Sequence, residues 1–273
     1  MFNQSIGFIG AGNMAQAMIK GLLNAGVPVA QIIASSHSEQ TAKKINSQYG
    51  ISTTTNNQQL AEQADIIVLA AKPFQLKAIC QSIQQPVKTS MPLIISVAAG
   101  IHCEHLITWL DCEVSCIRTM PNTPVLVTEG MTGAFGNHLV TAQQKSMANK
   151  LLVTLGKVLW VDKEALLDAV TAISGSGPAY FFLFVEALEA AAEKLGLDQA
   201  AAKMLARQTA LGSAKMLCTQ ENSAGNLRAS VTSKGGTTAK AIEVFENLAL
   251  RDIVTQATSA AYQKSQSLAQ EIG

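Results

Sequence analysis

Charge is what this sequence has least of. Only 14% of its 273 residues are charged, 20 basic against 19 acidic for a net of +1, where an ordinary folded domain carries about a quarter. The near-cancellation excludes the electrostatic footprint of a nucleic-acid or anionic-lipid binder. The deficit itself points to surface buried in an oligomer. Aromatic residues are scarce too, at 5%. The longest apolar run, Ala179 to Val185, stops at Glu186, short of the ~20 residues of a spanning helix, so no membrane partner is expected. Met1 to Ser5 carries no basic segment, so no targeting peptide is expected either. Cys80, Cys103, Cys112, Cys116 and Cys218 are odd in number and scattered, which suits a reducing, cytoplasmic setting better than a disulfide framework. No hydrolase nucleophile elbow, Walker sequence or carboxylate pair is evident.

What is present is a rhythm. Short β-branched runs at Ser5 to Ile9, Gln31 to Ala34, Asp65 to Ala70 and Pro92 to Val97 alternate with amphipathic segments such as Asn13 to Asn24 and Ser38 to Tyr49. Continuous apolar strands of this kind belong to parallel sheets covered on both faces, so an α/β, Rossmann-like doubly wound sheet is expected over residues 1–160. Val114 to Arg118, Gly130 to Phe135 and Lys157 to Val161 read as further strands, with a helix at Ala142 to Leu155. After Trp160 only helical spacing remains, predicting helices at Lys163 to Ile173, Pro178 to Leu195, Asp198 to Cys218, Gly235 to Leu248 and Leu250 to Ala269. Ala-rich faces there permit close helix approach, so 161–273 is expected to be an all-α dimerisation domain.

Gly10-Ala11-Gly12-Asn13-Met14-Ala15 matches the G-x-G-x-x-G/A dinucleotide fingerprint between the first strand and the first helix. Its first Gly permits the turn, its second admits the pyrophosphate, and Ala15 lets helix and strand pack. The second strand ends in Ser35-Ser36-His37, with hydroxyl donors and no carboxylate to hold a ribose 2′-hydroxyl. That favours NADP over NAD, although no arginine clamps a phosphate. His37 could face that phosphate or simply solvate its loop.

Ligands of open α/β sheets lie outside the carboxyl ends of the strands. That rule selects Ala70-Ala71-Lys72-Pro73, Ala98-Ala99-Gly100 and Thr119 to Pro124, with Asn57 within reach of the same crevice. Each has a plain alternative: Lys72 as a solvated cation, the prolines as strand ends. In the second half, Ser174-Gly175-Ser176-Gly177-Pro178 is a sharp start to a long helix. Ser233-Lys234-Gly235-Gly236-Thr237-Thr238 opens another with free N–H groups suited to a carboxylate, or to ordinary capping. His102-Cys103-Glu104-His105 with Cys112 and Cys116 has ligand types for zinc, but a packed helix and a buried strand explain it better, and no metal is expected.

Assembled, these segments resemble the pyrroline-5-carboxylate reductases over essentially the whole chain. The resemblance rests on Gly7 to Ala15, Ala70 to Pro73, Met120 to Pro124, Ser174 to Tyr180 and, most specifically, Val231 to Ile242. It implies reduction of 1-pyrroline-5-carboxylate to L-proline with NADPH, or with NADH at lower preference. By the resemblance Ile9, Gly10, Ala11, Gly12, Asn13, Met14, Ser36, Asn57, Ala70, Ala71, Lys72, Pro73, Val97, Ala98 and Ala99 would hold the cofactor, with Ser35 beside them. Glu221, Thr237 and Thr238 would lie in the substrate pocket, the substrate carboxylate docking on the N–H groups of Gly236, Thr237 and Thr238. The Thr238 hydroxyl is the one group expected at the reacting ring nitrogen. The family implies a homodimer or a ring of five dimers, with one subunit's cofactor meeting its partner's helices. Lys234 departs from a common Pro, and Ala71 from a common Val. The nearest rival, a β-hydroxyacid dehydrogenase, needs a lysine on the helix after the Ser-Gly turn, where this chain has only Lys194 at the far end. A non-catalytic NADP-binding protein would not need the Gly235 to Thr238 helix start.

Overall fold

Apolar β-branched residues leave little choice for the strands they occupy, which must be covered on both faces. In the computed structural model, which describes residues 4–272 and side chains over 4–268, the strands are Ile6–Ile9 (β1), Ile32–Ser35 (β2), Ser52–Thr54 (β3), Ile66–Leu69 (β4), Leu93–Ser96 (β5), Cys116–Met120 (β6), Gly130–Gly136 (β7) and Gly156–Trp160 (β8). They form one sheet in the order β3-β2-β1-β4-β5-β6-β7-β8. β1 to β6 run parallel; β7 is antiparallel to β6, and β8 is parallel to β7. Strand order reverses beside β1, which pairs with both β2 and β4. The ligand crevice of a doubly wound sheet opens at that point.

The first helices are Asn13–Asn24 (α1), Glu39–Tyr49 (α2), Asn57–Gln63 (α3), Pro73–Ser82 (α4), Gln84–Ser90 (α5), Cys103–Leu110 (α6), Ala142–Leu152 (α7) and Leu166–Val170 (α8). They cover two cores. Phe8, Met18, Leu22 and Ile95 belong to one, and Leu60, Leu76, Leu106 and Trp109 to the other. Full burial of each such side chain stabilises by about 1.5–3 kcal/mol.

By contact the chain divides into two units, Met1–Ser176 with Ala261–Gly273, and Gly177–Ala260. The change of sequence pattern at Trp160 thus precedes the division by contact. A buried ion cluster accounts for much of the difference. Arg118 on β6, 3% exposed, reaches Glu164 at 3.3 Å and Asp168 at 3.9 Å, and the Ser265 hydroxyl donates to Asp168 at 2.7 Å. Residues 164–168 and Ser265 of the last helix are thereby tied to the sheet. Removing Arg118, the most deeply buried partner, would cost about 3–5 kcal/mol because it strands buried carboxylates.

The second unit contains Gly177–Lys194 (α9), Gln199–Thr219 (α10), Ala224–Ser230 (α11), Thr237–Asn247 (α12) and the start of Leu250–Ile272 (α13). Among its described hydrophobic residues only Ala202 and Ala206 are buried, while Phe181, Phe182 and Leu183 are 73%, 66% and 66% exposed. A helical unit with so small a core and so large an apolar face is built to be covered by another surface. The expectation from the short apolar run also needs correction. The helical run Leu166–Lys194 is 29 residues, and its most apolar 18-residue stretch has a mean hydropathy of 1.2, so by length and composition alone it could cross a membrane. The Ser-Gly-Ser-Gly-Pro segment, which reads as a break, continues it through a π-turn at Thr171–Gly175. Its length therefore exceeds that of the run ending at Glu186.

Candidate active site

The fingerprint glycines have different physical jobs. Gly10 has φ +95, and a Cβ there would stand 2.7 Å from the Ala71 amide nitrogen, so the turn demands glycine twice over. Gly12 has an ordinary φ of −73, and a Cβ on it would meet nothing within 4 Å. That open space lies over the first turn of α1, which has no side-chain cap and leaves the orphan N–H groups of a helix start. It fits a pyrophosphate. Ala15 is fully buried against the sheet. Ile9, Ala11, Asn13 and Met14 flank the same turn at the carboxyl end of β1.

On the β2 side a cleft of about 640 Å³ is lined by Ile9, Gly10, Ser35, Ser36, His37, Asn57 and Ala71, and also by Thr55, Phe74, Gln75, Ala78 and Ile79. Ser35 is buried, and its hydroxyl donates to the Asn57 Oδ1 at 2.7 Å. It braces Asn57, while half-buried Ser36 and exposed His37 stand at the mouth. Sequence reasoning passed over the last five residues. Four of them lie on one face of α4 at positions 74, 75, 78 and 79, so helical spacing after the Ala70–Pro73 turn would have found them. Phe74, 74% exposed, is the largest apolar side chain on this wall.

Ala70, Lys72 and Pro73 follow β4, and Val97, Ala98 and Ala99 follow β5, as the strand-end rule requires. The Ala70 N–H donates to the Ile9 carbonyl at 2.8 Å and the Val97 N–H to the Leu69 carbonyl at 3.2 Å, so the three strand ends are stitched together. After β6, Asn122 is 9% exposed. Its Nδ2 donates to the Ser174 carbonyl at 3.0 Å, and its Oδ1 accepts from the Met131 N–H at 2.9 Å.

In the second unit Gly235 has φ +76, and a Cβ on Gly236 would stand 2.5 Å from the Ser233 Oγ. This tight turn delivers Gly236 as the N-cap of α12, with no side-chain cap. The Gly236 N–H, however, already donates to the Ser233 carbonyl at 3.0 Å. The first-turn amides that remain for a carboxylate are those of Thr237 and Thr238, both exposed. Glu221 is exposed on the segment between α10 and α11.

Among the described residues no three His, Cys, Asp or Glu side chains converge as a metal-binding group. Cys103 and Cys116 are buried. The Cys116 thiol is held well above its ordinary value, first by its hydrogen bond with Cys103 and then by burial, and burial pushes the Cys80 thiol up to about 12. Burial also acts to raise the Glu164 carboxyl. Hydrogen bonds from His102 and the Cys103 N–H, with the Arg118 charge, outweigh it and hold Glu164 below the usual 4.5. His105 is lowered, by burial first and by His102 second. Of these groups, Glu164 belongs to the ion cluster beside β6, and His105 lies within reach of its charges.

Comparison with known proteins agrees with this geometry. A family model described as pyrroline-5-carboxylate reductase dimerisation matches residues 164–268, and one described as NADP oxidoreductase, coenzyme F420-dependent, matches 5–100. The former overlies the exposed apolar helices, which make up the chain's self-association module. The pyrroline-5-carboxylate reductase of Pseudomonas aeruginosa is 45% identical over 273 residues, 100% of both chains. The structure of the Coxiella burnetii enzyme superposes with a TM-score of 0.94 at 39% identity, covering 98% of this chain and 99% of that one. The Plasmodium falciparum pyrroline carboxylate reductase, solved with NADP bound, gives 0.86 at 31% identity, with coverage of 98% and 99%. A dinucleotide turn at the switch point, an uncapped Gly-Gly-Thr-Thr helix start and full-length identity of this order lead to one assignment: the chain belongs to the pyrroline-5-carboxylate reductase family.

Proposed function

We propose that this protein reduces 1-pyrroline-5-carboxylate to L-proline with NADPH, the last step of proline biosynthesis. The observation that carries the reading is the full-length 45% identity to a pyrroline-5-carboxylate reductase. When bound, NADPH supplies a hydride from C4 of its nicotinamide to the imine carbon of the ring. The chain's own residues orient and polarise. Gly10, Gly12 and the α1 start hold the pyrophosphate, with Ile9, Ala11, Asn13 and Met14 around it. Ser36, with Asn57 braced by Ser35, receives the adenosine ribose and its phosphate, since a hydroxyl tolerates the 2′-phosphate that a carboxylate would repel. NADH serves at lower preference. Ala70–Pro73 and Val97, Ala98 and Ala99 flank the nicotinamide half.

The substrate carboxylate docks on the Thr237 and Thr238 N–H groups, aided by the α12 dipole, with Glu221 in the same pocket. The Thr238 hydroxyl hydrogen-bonds the ring nitrogen. A ring nitrogen that arrives protonated is already the better electrophile, so no strong general acid is required. That suits a candidate site without a catalytic His or Cys. Residues 1–160 are read as the NADP-binding domain and 161–273 as the substrate and dimerisation domain, the functional unit being a dimer that assembles further into a ring of five. All five cysteines are free, which suits a cytoplasmic setting.

The test is steady-state oxidation of NADPH with pyrroline-5-carboxylate, beside NADH and a panel of ketones derived from β-hydroxyacids. Turnover with the imine alone, faster with NADPH, is expected. Turnover with the ketones alone would replace this reading by the hydroxyacid dehydrogenase one.

A further inference from the structure

A proline inside a helical run leaves one carbonyl without its usual donor, and here the carbonyl is that of Ser174. Its α-helical partner would be the amide of residue 178, which is a proline nitrogen without a hydrogen. The Asn122 Nδ2 occupies the donor position instead, at 3.0 Å. Its other amide atom, Oδ1, accepts from the Met131 N–H on β7 at 2.9 Å. One nearly buried side chain therefore joins the loop after β6 to β7 and to the π-turn Thr171–Gly175.

Steric fit points the same way. A Cβ on Gly175 would stand 2.6 Å from the Met120 Cε, so the glycine leaves room for the methionine that ends β6. Within the turn, the Ser176 N–H donates to the Thr171 carbonyl at 2.8 Å, the π spacing. The Met120 to Pro124 and Ser174 to Pro178 segments are thus two halves of one lock, a relation that neither motif shows alone. Single-turn π segments inside α-helices occur frequently at functional sites.

The locked loop leaves the carboxyl end of β6, next to β5, whose end carries Val97 to Ala99. With the adenosine side of the crevice over β2, this is the nicotinamide side. We propose that Asn122 is a positioning residue for hydride transfer: by satisfying the Ser174 carbonyl that Pro178 leaves without a donor, it fixes the crevice wall against which the nicotinamide is aligned. The proposal rests on the reductase reading. Asn122 acts through backbone placement and takes no part in proton or hydride movement.

A double-mutant cycle tests it. In Asn122→Ala, kcat should fall at least ~10-fold, the scale on which small misplacements remote from the chemistry act, while the NADPH dissociation constant from fluorescence titration stays within about threefold. The deuterium isotope effect on kcat should rise as hydride transfer becomes limiting. Asn122→Asp, which keeps the acceptor for Met131 but loses the donor, should behave like Asn122→Ala and covers the case in which the alanine variant does not fold. Pro178→Ala restores an N–H at residue 178, so adding Asn122→Asp to that background should lower kcat by less than about twofold. Equal losses in both backgrounds, an unchanged kcat in Asn122→Asp, or a parallel loss of NADPH affinity would each overturn the proposal. Absence of imine reduction by the unsubstituted chain would instead sink the reductase reading beneath it.

Discussion

Replacing Gly10 or Gly12 by alanine separates folding from cofactor binding at two positions only two residues apart. At Gly10 the backbone lies at φ +95, where an L-residue costs about 1–2 kcal/mol. The new methyl would also sit 2.7 Å from the Ala71 nitrogen and 2.8 Å from the Ala70 carbonyl carbon. Relieving that contact against backbone costs about 1–3 kcal/mol more. The sum, about 2–5 kcal/mol, lowers the melting temperature by roughly 5–15 °C in a chain of this size. At Gly12 neither term applies, because φ is −73 and the methyl meets open space. Only the weaker N-cap preference of alanine remains, about 1 kcal/mol or less. Yet in the proposed binding mode that open space is where the pyrophosphate approaches. Loss of one charge-assisted hydrogen bond there, about 1.5–3 kcal/mol, weakens NADPH about 10- to 100-fold. Thermal melting without ligand and NADPH fluorescence titration, run on both variants, read the two effects independently. A Gly12→Ala protein that melted as low as Gly10→Ala, or bound NADPH like the unsubstituted chain, would refute this division of labour.

Thr238→Ala should lower kcat by about 10-fold, the contribution of one hydrogen bond to a charged group, and leave NADPH binding intact; an unchanged turnover number would remove Thr238 from the mechanism. Ser36→Asp should shift preference toward NADH by repelling the 2′-phosphate, read as the ratio of kcat/KM values for the two cofactors, and an unmoved ratio would place phosphate recognition elsewhere. Because the Glu164 carboxyl is held below 4.5 in the fold, its contribution is fully present above about pH 4.5 and is lost as the pH falls through the lower folded value. Glu164→Gln should therefore lower the melting temperature at about pH 7, by an amount corresponding to about 1–3 kcal/mol. That difference should shrink on acidification below about pH 4; a constant difference would mean that the Glu164 charge contributes nothing.

The parallel sheet is legible because its central strands are short, apolar and separated by turn residues that the fingerprint anchors. β3 is not, since Ser52-Thr53-Thr54 has no buried run and owes its place to pairing with β2. The antiparallel direction of β7 is likewise a property of its neighbour, because Gly130 to Phe135 reads as a strand either way. The helix joining residues 166 and 194 is hidden by Ser174 to Pro178, which carries every local mark of a break. The structure keeps it continuous through the π-turn, with a donor from Asn122, a tertiary contact that local pattern does not encode. In the cofactor crevice, glycines and strand ends were readable from the fingerprint and the switch-point rule. The bracing of Asn57 by Ser35 and the α4 wall depend on how two loops meet. The low charge becomes physical in the exposed apolar faces of α9 and α10, which leave the second unit with alanines for a core.

Hydride transfer from the nicotinamide C4 to the imine carbon is tested most directly by isotope tracing. Pyrroline-5-carboxylate would be incubated with NADPH carrying deuterium at C4, supplied separately on each face of the nicotinamide. Proline bearing one deuterium on the former imine carbon is expected from one of the two forms, and unlabelled proline from the other. Proline unlabelled from both forms, or label appearing only in hydroxyacids made from a ketone panel, would contradict it.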